Sequence, residues 1–183
     1  MDLKSIIEST QYVHSQRVAQ ISALLARKAG FGQSEVAVIE EAALFHDIGK
    51  EALPLELLNK PGRLTPEEFE VVKTHTDKGY EQIADAIRTL SIAAEVAKTH
   101  HERPDGTGYM HLPGGKIHPY AALISVCDVY DALYSKRAYK SAWGVGDICD
   151  YFRQQAGSQF EHEYVLLLFS VLDEVLMLYA NER

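Results

Sequence analysis

At 183 residues the chain is long enough to bury a substantial core without disulfide or metal staples. Its 46% hydrophobic and 24% charged residues describe a globular chain rather than a disordered one. A net charge of −8 excludes general nucleic-acid binding, and the six Lys/Arg against four Asp/Glu between residues 98 and 140 suit a local anion rather than a duplex.

Cys127 and Cys149 lie 22 positions apart with no Cys-x-x-Cys pairing, so they read as reduced core thiols of a cytosolic protein. Met1-Asp2-Leu3-Lys4 lacks the basic region and apolar run of a signal peptide. The most apolar stretch, Tyr164 to Ala180, is broken by Asp173-Glu174, and no membrane span is expected. With no repeat or linker, residues 1–183 are expected to form a single domain without a receiver or sensing segment. Its regulation would then come from expression, a partner or oligomerisation.

Helical spacing recurs and strand alternation is missing, which predicts an all-α fold. From about residue 9 to 29, His14, Val18, Ile21 and Leu25 share one face, and Gly30 and Gly32 end that helix. Ser34 is the expected cap of the next helix, whose stripe Val36, Ile39, Ala43 runs into His46. Thr65-Pro66-Glu67-Glu68 is a capping box with proline at the first helical position. The helix or helix pair that follows aligns His75, Gly79 and Ile83, and Ser91 opens another helix leading through Ile92 and Val96 to His100. Glu102 to Lys116 is one long irregular segment rich in glycine and proline, of the kind that is usually functional. Pro119 starts a helix with the core stripe Ala122, Val126, Val129 and Leu133, and it carries Asp128 and Asp131 on another face. A final helix at about 161–180 is apolar on most sides, and is expected to be either fully buried or half of a homodimer contact.

His14, His46, His75 and His100 sit at the ends or on the apolar sides of these helices. One such histidine is more often a hydrogen-bonded core residue. Four of them, with His101, Asp47 and Asp128, are better explained by bound cations, because burying either aspartate unpaired would cost several kcal/mol. Imidazole and carboxylate without thiolate suit Fe, Mn, Co or Zn at an open site. Seven ligands are too many for one ion. Two ions sharing a carboxylate could activate water and neutralise both oxygens in a phosphoryl displacement.

His46-Asp47-Ile48-Gly49-Lys50 and His100-His101-Glu102-Arg103-x-Asp105-Gly106-x-Gly108-Tyr109 strongly resemble the HD-GYP domains of bacteria. His14-Ser15-x-Arg17-Val18, Lys60-Pro61-Gly62-x-Leu64-Thr65, His75-Thr76-x-x-Gly79, Asp128-Val129-Tyr130-Asp131-Ala132-Leu133 and Arg137-x-Tyr139-Lys140 fit in the same order. The resemblance implies an HD-domain bundle of about seven or more helices around a dinuclear metal site. It also implies hydrolysis of cyclic di-GMP, and attack of a metal-bridging hydroxide is expected to give linear pGpG, with the end product, pGpG or GMP, left open. By similarity, His14, His46, Asp47 and Asp128 would hold one metal and His75, His100 and His101 the second, with Asp47 bridging. The expected ions are iron or manganese.

Lys50, one turn from His46, is expected to bind a phosphate oxygen and stabilise the transition state, and with Asp47 makes the catalytic pair. Arg137 and Lys140 are expected at the substrate phosphodiester, and Tyr109 at guanine or phosphate. Asp105 is expected to fix a turn, and Glu102 and Arg103 to orient His100 or His101. His111, His118 and His162 read as ordinary surface histidines.

Three departures from the HD-GYP pattern matter. Met110 stands where the family usually has proline, which frees a backbone N–H and would loosen the loop. Thr10 replaces a glutamate that helps some members hold a third metal, so two metals are expected. Glu161-His162 replaces Asp-Pro, with Glu161 still suited to a helix N-terminus. Two other readings remain: an HD phosphohydrolase acting on another nucleotide, and a non-catalytic module that binds the messenger or a diguanylate cyclase-type partner.

Overall fold

The computed structural model describes residues 10–86, 91–135 and 142–180. They form α1 (Thr10–Lys28), α2 (Gln33–Phe45), a 3-10 turn (Ile48–Ala52), α3 (Leu55–Leu58) and α4 (Pro66–Lys73). After these come α5 (His75–Ala86), α6 (Ser91–Thr99), a second 3-10 turn (Gly114–Lys116), α7 (Pro119–Tyr134), α8 (Val145–Gln155), α9 (His162–Ser170) and α10 (Leu172–Ala180). Among the described residues there is no strand, only an isolated bridge between Ala156 and Phe160. No described helix is long and apolar enough to cross a membrane.

Helix α7 runs through the middle of the core. Leu123, Ile124, Val126, Cys127 and Tyr130 are all fully buried, so the helix is enclosed on most sides rather than along the one stripe its spacing predicts. Val129, assigned to that stripe, is only partly buried. Helix α1 packs on α2 and α7, α2 on α6, and α5 on α6 and the first 3-10 turn. Val18, Ile21 and Leu25 of α1 are fully buried, and burial of such side chains stabilises the fold by roughly 1.5–3 kcal/mol each.

The helix ends follow their local chemistry. Gly30 adopts φ +88°, with Phe31 N–H donating to the Ala26 carbonyl and Gly30 N–H to that of Arg27. This is a Schellman closure, which favours glycine at the left-handed position. Gly32 rather than Ser34 caps α2, because the Glu35 carboxylate reaches back to the Gly32 amide at 3.1 Å. Thr65 and Glu68 form the reciprocal capping box at α4, and Lys60 pairs with the same Glu68 at 2.6 Å.

The first 3-10 turn lies directly on the first turn of α5. A Cβ on Gly49 would collide with the His75 carbonyl and the Gly79 amide, so glycine there sets how closely the His46-Asp47 segment approaches His75. At the C-terminal side, Val171 (φ −121°, ψ 17°) divides the expected single helix into α9 and α10. One face of this pair is buried, while Leu166 and Met177 remain exposed. The pair is therefore not fully enclosed.

Candidate metal centre

Five helices and the segments between them bring seven side chains to one place. His14 comes from α1, His46 and Asp47 from the end of α2, His75 from the start of α5, His100 and His101 from the end of α6, and Asp128 from α7. Each of two groups, Asp47 with His75, His100 and His101, and His14 with His46 and Asp128, offers donor atoms within 4.8 Å of one another.

Asp47 stands between the groups. Its Oδ1 lies 3.3 Å from His75 Nε2 and 3.7 Å from His100 Nε2. Its Oδ2 lies 3.4 Å from His46 Nε2 and 3.9 Å from His14 Nε2. Asp128 Oδ1 closes the second group at 3.1 Å from His14 Nε2 and 3.8 Å from His46 Nε2.

The rings are aimed by their other nitrogen. His46 Nδ1 lies 2.7 Å from the Ala43 carbonyl, His75 Nδ1 2.7 Å from that of Val72, and His100 Nδ1 3.0 Å from that of Ala97. A carbonyl only accepts, so Nδ1 carries the hydrogen in each ring and Nε2 presents a lone pair to the centre when neutral. The Nε2 atoms of these three histidines and of His14 are buried without a hydrogen-bond partner. Buried polar atoms are normally satisfied, and one cation in each of the two groups would satisfy all four. The donor set of imidazoles and carboxylates, with both cysteines buried elsewhere as free thiols, fits a divalent transition ion.

Charge is divided unevenly between the groups. Burial opposes protonation of His46, but the Asp47 charge and Asp128 hold its pKa up at about 10. His14 is also raised, against burial, by Asp128 and Asp131. Burial pushes His100 down and, with the neighbouring His100, pushes His101 far down. Asp47 and Asp128 stay well below the ordinary carboxylate range despite burial, Asp47 through Lys50 and His46, and Asp128 through His14 and His46.

Lys50 donates from Nζ to Asp47 Oδ2 and so lies at the rim of the centre. The Tyr109 ring rests on His101, centroids 4.6 Å apart, and meets the Phe69 ring edge-on at 5.8 Å. Arg137 and Lys140 lie outside the described residues.

Four roles differ from the sequence reading. Glu102 does not touch His100 or His101 through a hydrogen bond; its buried carboxylate accepts the backbone N–H groups of Met110 at 2.7 Å and Leu112 at 2.9 Å. The amide that Met110 has and proline lacks is therefore tied down, and the loop is not loosened there. Arg103 pairs with Asp105 at 3.1 Å instead of orienting a histidine, while Asp105 also holds Thr107 as expected of a turn residue. His118 caps α7, its Nδ1 accepting the Tyr120 N–H at 3.2 Å.

Asp131, which carried no site role in the sequence reading, accepts from His14 Nδ1 at 2.7 Å. It thus does for His14 what main-chain carbonyls do for the other rings. Its spacing of three from Asp128 places it one helical turn along α7, and that was the available signal.

The HD domain family model matches residues 3–163. The chain belongs to the HD domain family. Within that family, this HD domain is 38% identical to the 3'3'-cGAMP-specific phosphodiesterase 2 of Vibrio cholerae serotype O1, over 92% of this chain and 33% of that protein. It is 40% identical to the cyclic di-GMP phosphodiesterase response regulator RpfG of Xanthomonas campestris pv. campestris, over 80% of this chain and 39% of that one. The HD domain thus spans well under half the length of these two relatives. Bd1817, an HDG"Y"P protein from Bdellovibrio bacteriovorus, superposes with a TM-score of 0.74 at 22% identity, over 90% of this chain and 53% of that chain. That likeness concerns the fold, and it agrees with the helical bundle expected from the motifs.

Proposed function

We propose that this HD domain is a metal-dependent phosphodiesterase that opens cyclic di-GMP to linear pGpG. What carries the reading is the position of Asp47, whose two oxygens face two separate sets of imidazole nitrogens. His14, His46, Asp128 and Asp47 would hold one divalent ion, and Asp47, His75, His100 and His101 a second; the donors suit Fe, Mn, Co or Zn, and the resemblance to HD-GYP domains favours iron or manganese. Such ions supply Lewis acidity toward phosphoryl oxygens and a means of activating water.

The chain's own groups do the rest. Lys50 places a positive charge at the rim, where it can hold a phosphate oxygen and steady charge that develops on it. Tyr109 offers a ring beside His101 against which a base can lie. Arg137 and Lys140 are assigned to the substrate's phosphodiester from their place in the motif. Reduced thiols and a dinucleotide messenger fit a cytoplasmic setting.

A second substrate reading, 3',3'-cGAMP, is favoured by the Vibrio cholerae relative. One experiment tests both: anaerobic loading with Mn²⁺ or Fe²⁺, metal quantification, and product analysis on cyclic di-GMP, 3',3'-cGAMP and linear pGpG. Turnover of cyclic di-GMP supports the main reading, and preference for cGAMP replaces it. Binding of a cyclic dinucleotide without cleavage by fully loaded protein would make the domain a receptor.

A further inference from the structure

The last helix reaches the metal centre through one hydroxyl. Tyr179 on α10 is buried and donates to Asp131 Oδ1 at 2.7 Å. The other oxygen of that carboxylate lies 2.7 Å from His14 Nδ1. Ser135 also donates to Oδ1 at 3.0 Å, and Arg17 lies 3.8 Å from the same oxygen while donating to Ser135. Arg17 further covers the Tyr179 ring at 5.1 Å from its centroid. The family match ends at residue 163, before α10 begins.

We infer that Tyr179 is a positioning residue for the metal centre, holding His14 through Asp131 so that His14 Nε2 faces Asp128 and Asp47. The inference rests on reading the cluster as a metal site. Three of the imidazoles already discussed take their orientation from main-chain carbonyls three residues upstream, those of Ala43, Val72 and Ala97, which cannot turn independently of the backbone. His14 instead depends on a side chain. A carboxylate can rotate about its own bond, and any rotation of Asp131 would carry the His14 ring with it. Ser135 and Arg17 approach from beside Asp131 and from α1. The Tyr179 bond arrives from a distant part of the chain and fixes the carboxylate plane from a further direction. Loss of that bond leaves Asp131 with two partners on Oδ1, so the expected effect is partial and confined to the ion nearest His14.

Tyr179→Phe tests this, because the ring keeps its contacts with Tyr134, at 4.5 Å between centroids, and with Arg17. Metal-free wild type and variant are titrated with Mn²⁺ by calorimetry and melted with and without Mn²⁺. Wild type is expected to bind two Mn²⁺ per chain. In the variant, one binding event should weaken about 3- to 10-fold and the other stay unchanged, less than the ~10–100-fold typical when a ligand's direct partner is removed. Asp131→Asn should weaken the same event further. Unchanged affinities at both sites in Tyr179→Phe overturn the inference, and an equal fall in melting temperature with and without Mn²⁺ would then leave the hydroxyl a purely structural role. Wild type that binds no Mn²⁺ overturns the metal-site reading itself and this inference with it.

Discussion

Met110 donates its backbone amide to the buried Glu102 carboxylate at 2.7 Å, and Leu112 donates to the other oxygen of the same group. One carboxylate directly after the His100-His101 pair thus ties both ends of the turn that follows Tyr109. Gly108 belongs to the same device, since a Cβ there would stand 2.6 Å from the Glu102 Cα.

Met110→Pro, which would restore the residue more usual in HD-GYP sequences, should therefore destabilise this protein. Losing a hydrogen bond to a charged acceptor costs about 1.5–3 kcal/mol. The stiffer unfolded chain returns about 0.4–1 kcal/mol. A net loss of roughly 0.5–2.6 kcal/mol follows from these two figures and is measured by urea unfolding. A stabilised variant would mean that the Glu102 contact contributes little.

Asp47→Ala should empty both halves of the centre, because a single carboxylate faces each. Metal content after anaerobic loading should fall below one ion per chain, and activity should fall by more than the ~10–100-fold that follows loss of an outer partner. A variant that keeps two tightly bound ions would refute the shared role of Asp47.

The pH response of the metal-free protein follows from the uneven charge. His46, raised from 6.5 to about 10, contributes stability that is fully present below 6.5 and is lost as pH rises through about 10. Asp47 and Asp128, lowered from 3.8, contribute stability present above 3.8 and lost as pH falls through their depressed values. Metal-free protein should thus be most stable between these limits, as thermal melts across pH will record. A cation at His46 must displace a proton at neutral pH, and His14 is shifted in the same direction, whereas His100 and His101 are shifted the opposite way, toward the neutral form. Mn²⁺ titration in buffers of different ionisation enthalpy should show proton release for one ion and much less for the other.

Gly49→Ala should damage stability and site together. The added methyl forces the 3-10 turn off α5, at a cost of about 1–3 kcal/mol or more. Thermal melts should fall, and metal content should fall with them as Asp47 moves from His75. A variant with wild-type melting and metal content would show that the close approach is not required.

Much of this was legible in the residues themselves. The capping box at Thr65, the proline start of α7 and the His14-to-Leu25 stripe are local patterns, and each fixes structure within a few turns of itself. The seven centre residues were legible because imidazoles and acids on apolar faces demand an explanation. The role of Glu102 was not, since its partners are main-chain amides of Met110 and Leu112, and amides leave no trace in residue type. Tyr179 was hidden for a related reason: its hydroxyl meets Asp131 across 48 residues, and a tyrosine near the end of an apolar helix reads as core. Val171 breaks the last helix without glycine or proline, so neither usual signal for a boundary was present.

The carbonyls of Ala43, Val72 and Ala97 aim three of the imidazoles, and every residue type supplies such an oxygen. Side chains at these three positions can therefore drift without turning His46, His75 or His100, provided the helices persist. His14 has no such insurance, because its aim depends on the identity of Asp131. Ala43 and Ala97 are held by packing, since both are fully buried, but no side chain at the three positions is needed as an acceptor, whereas His14 needs the carboxylate of Asp131 itself.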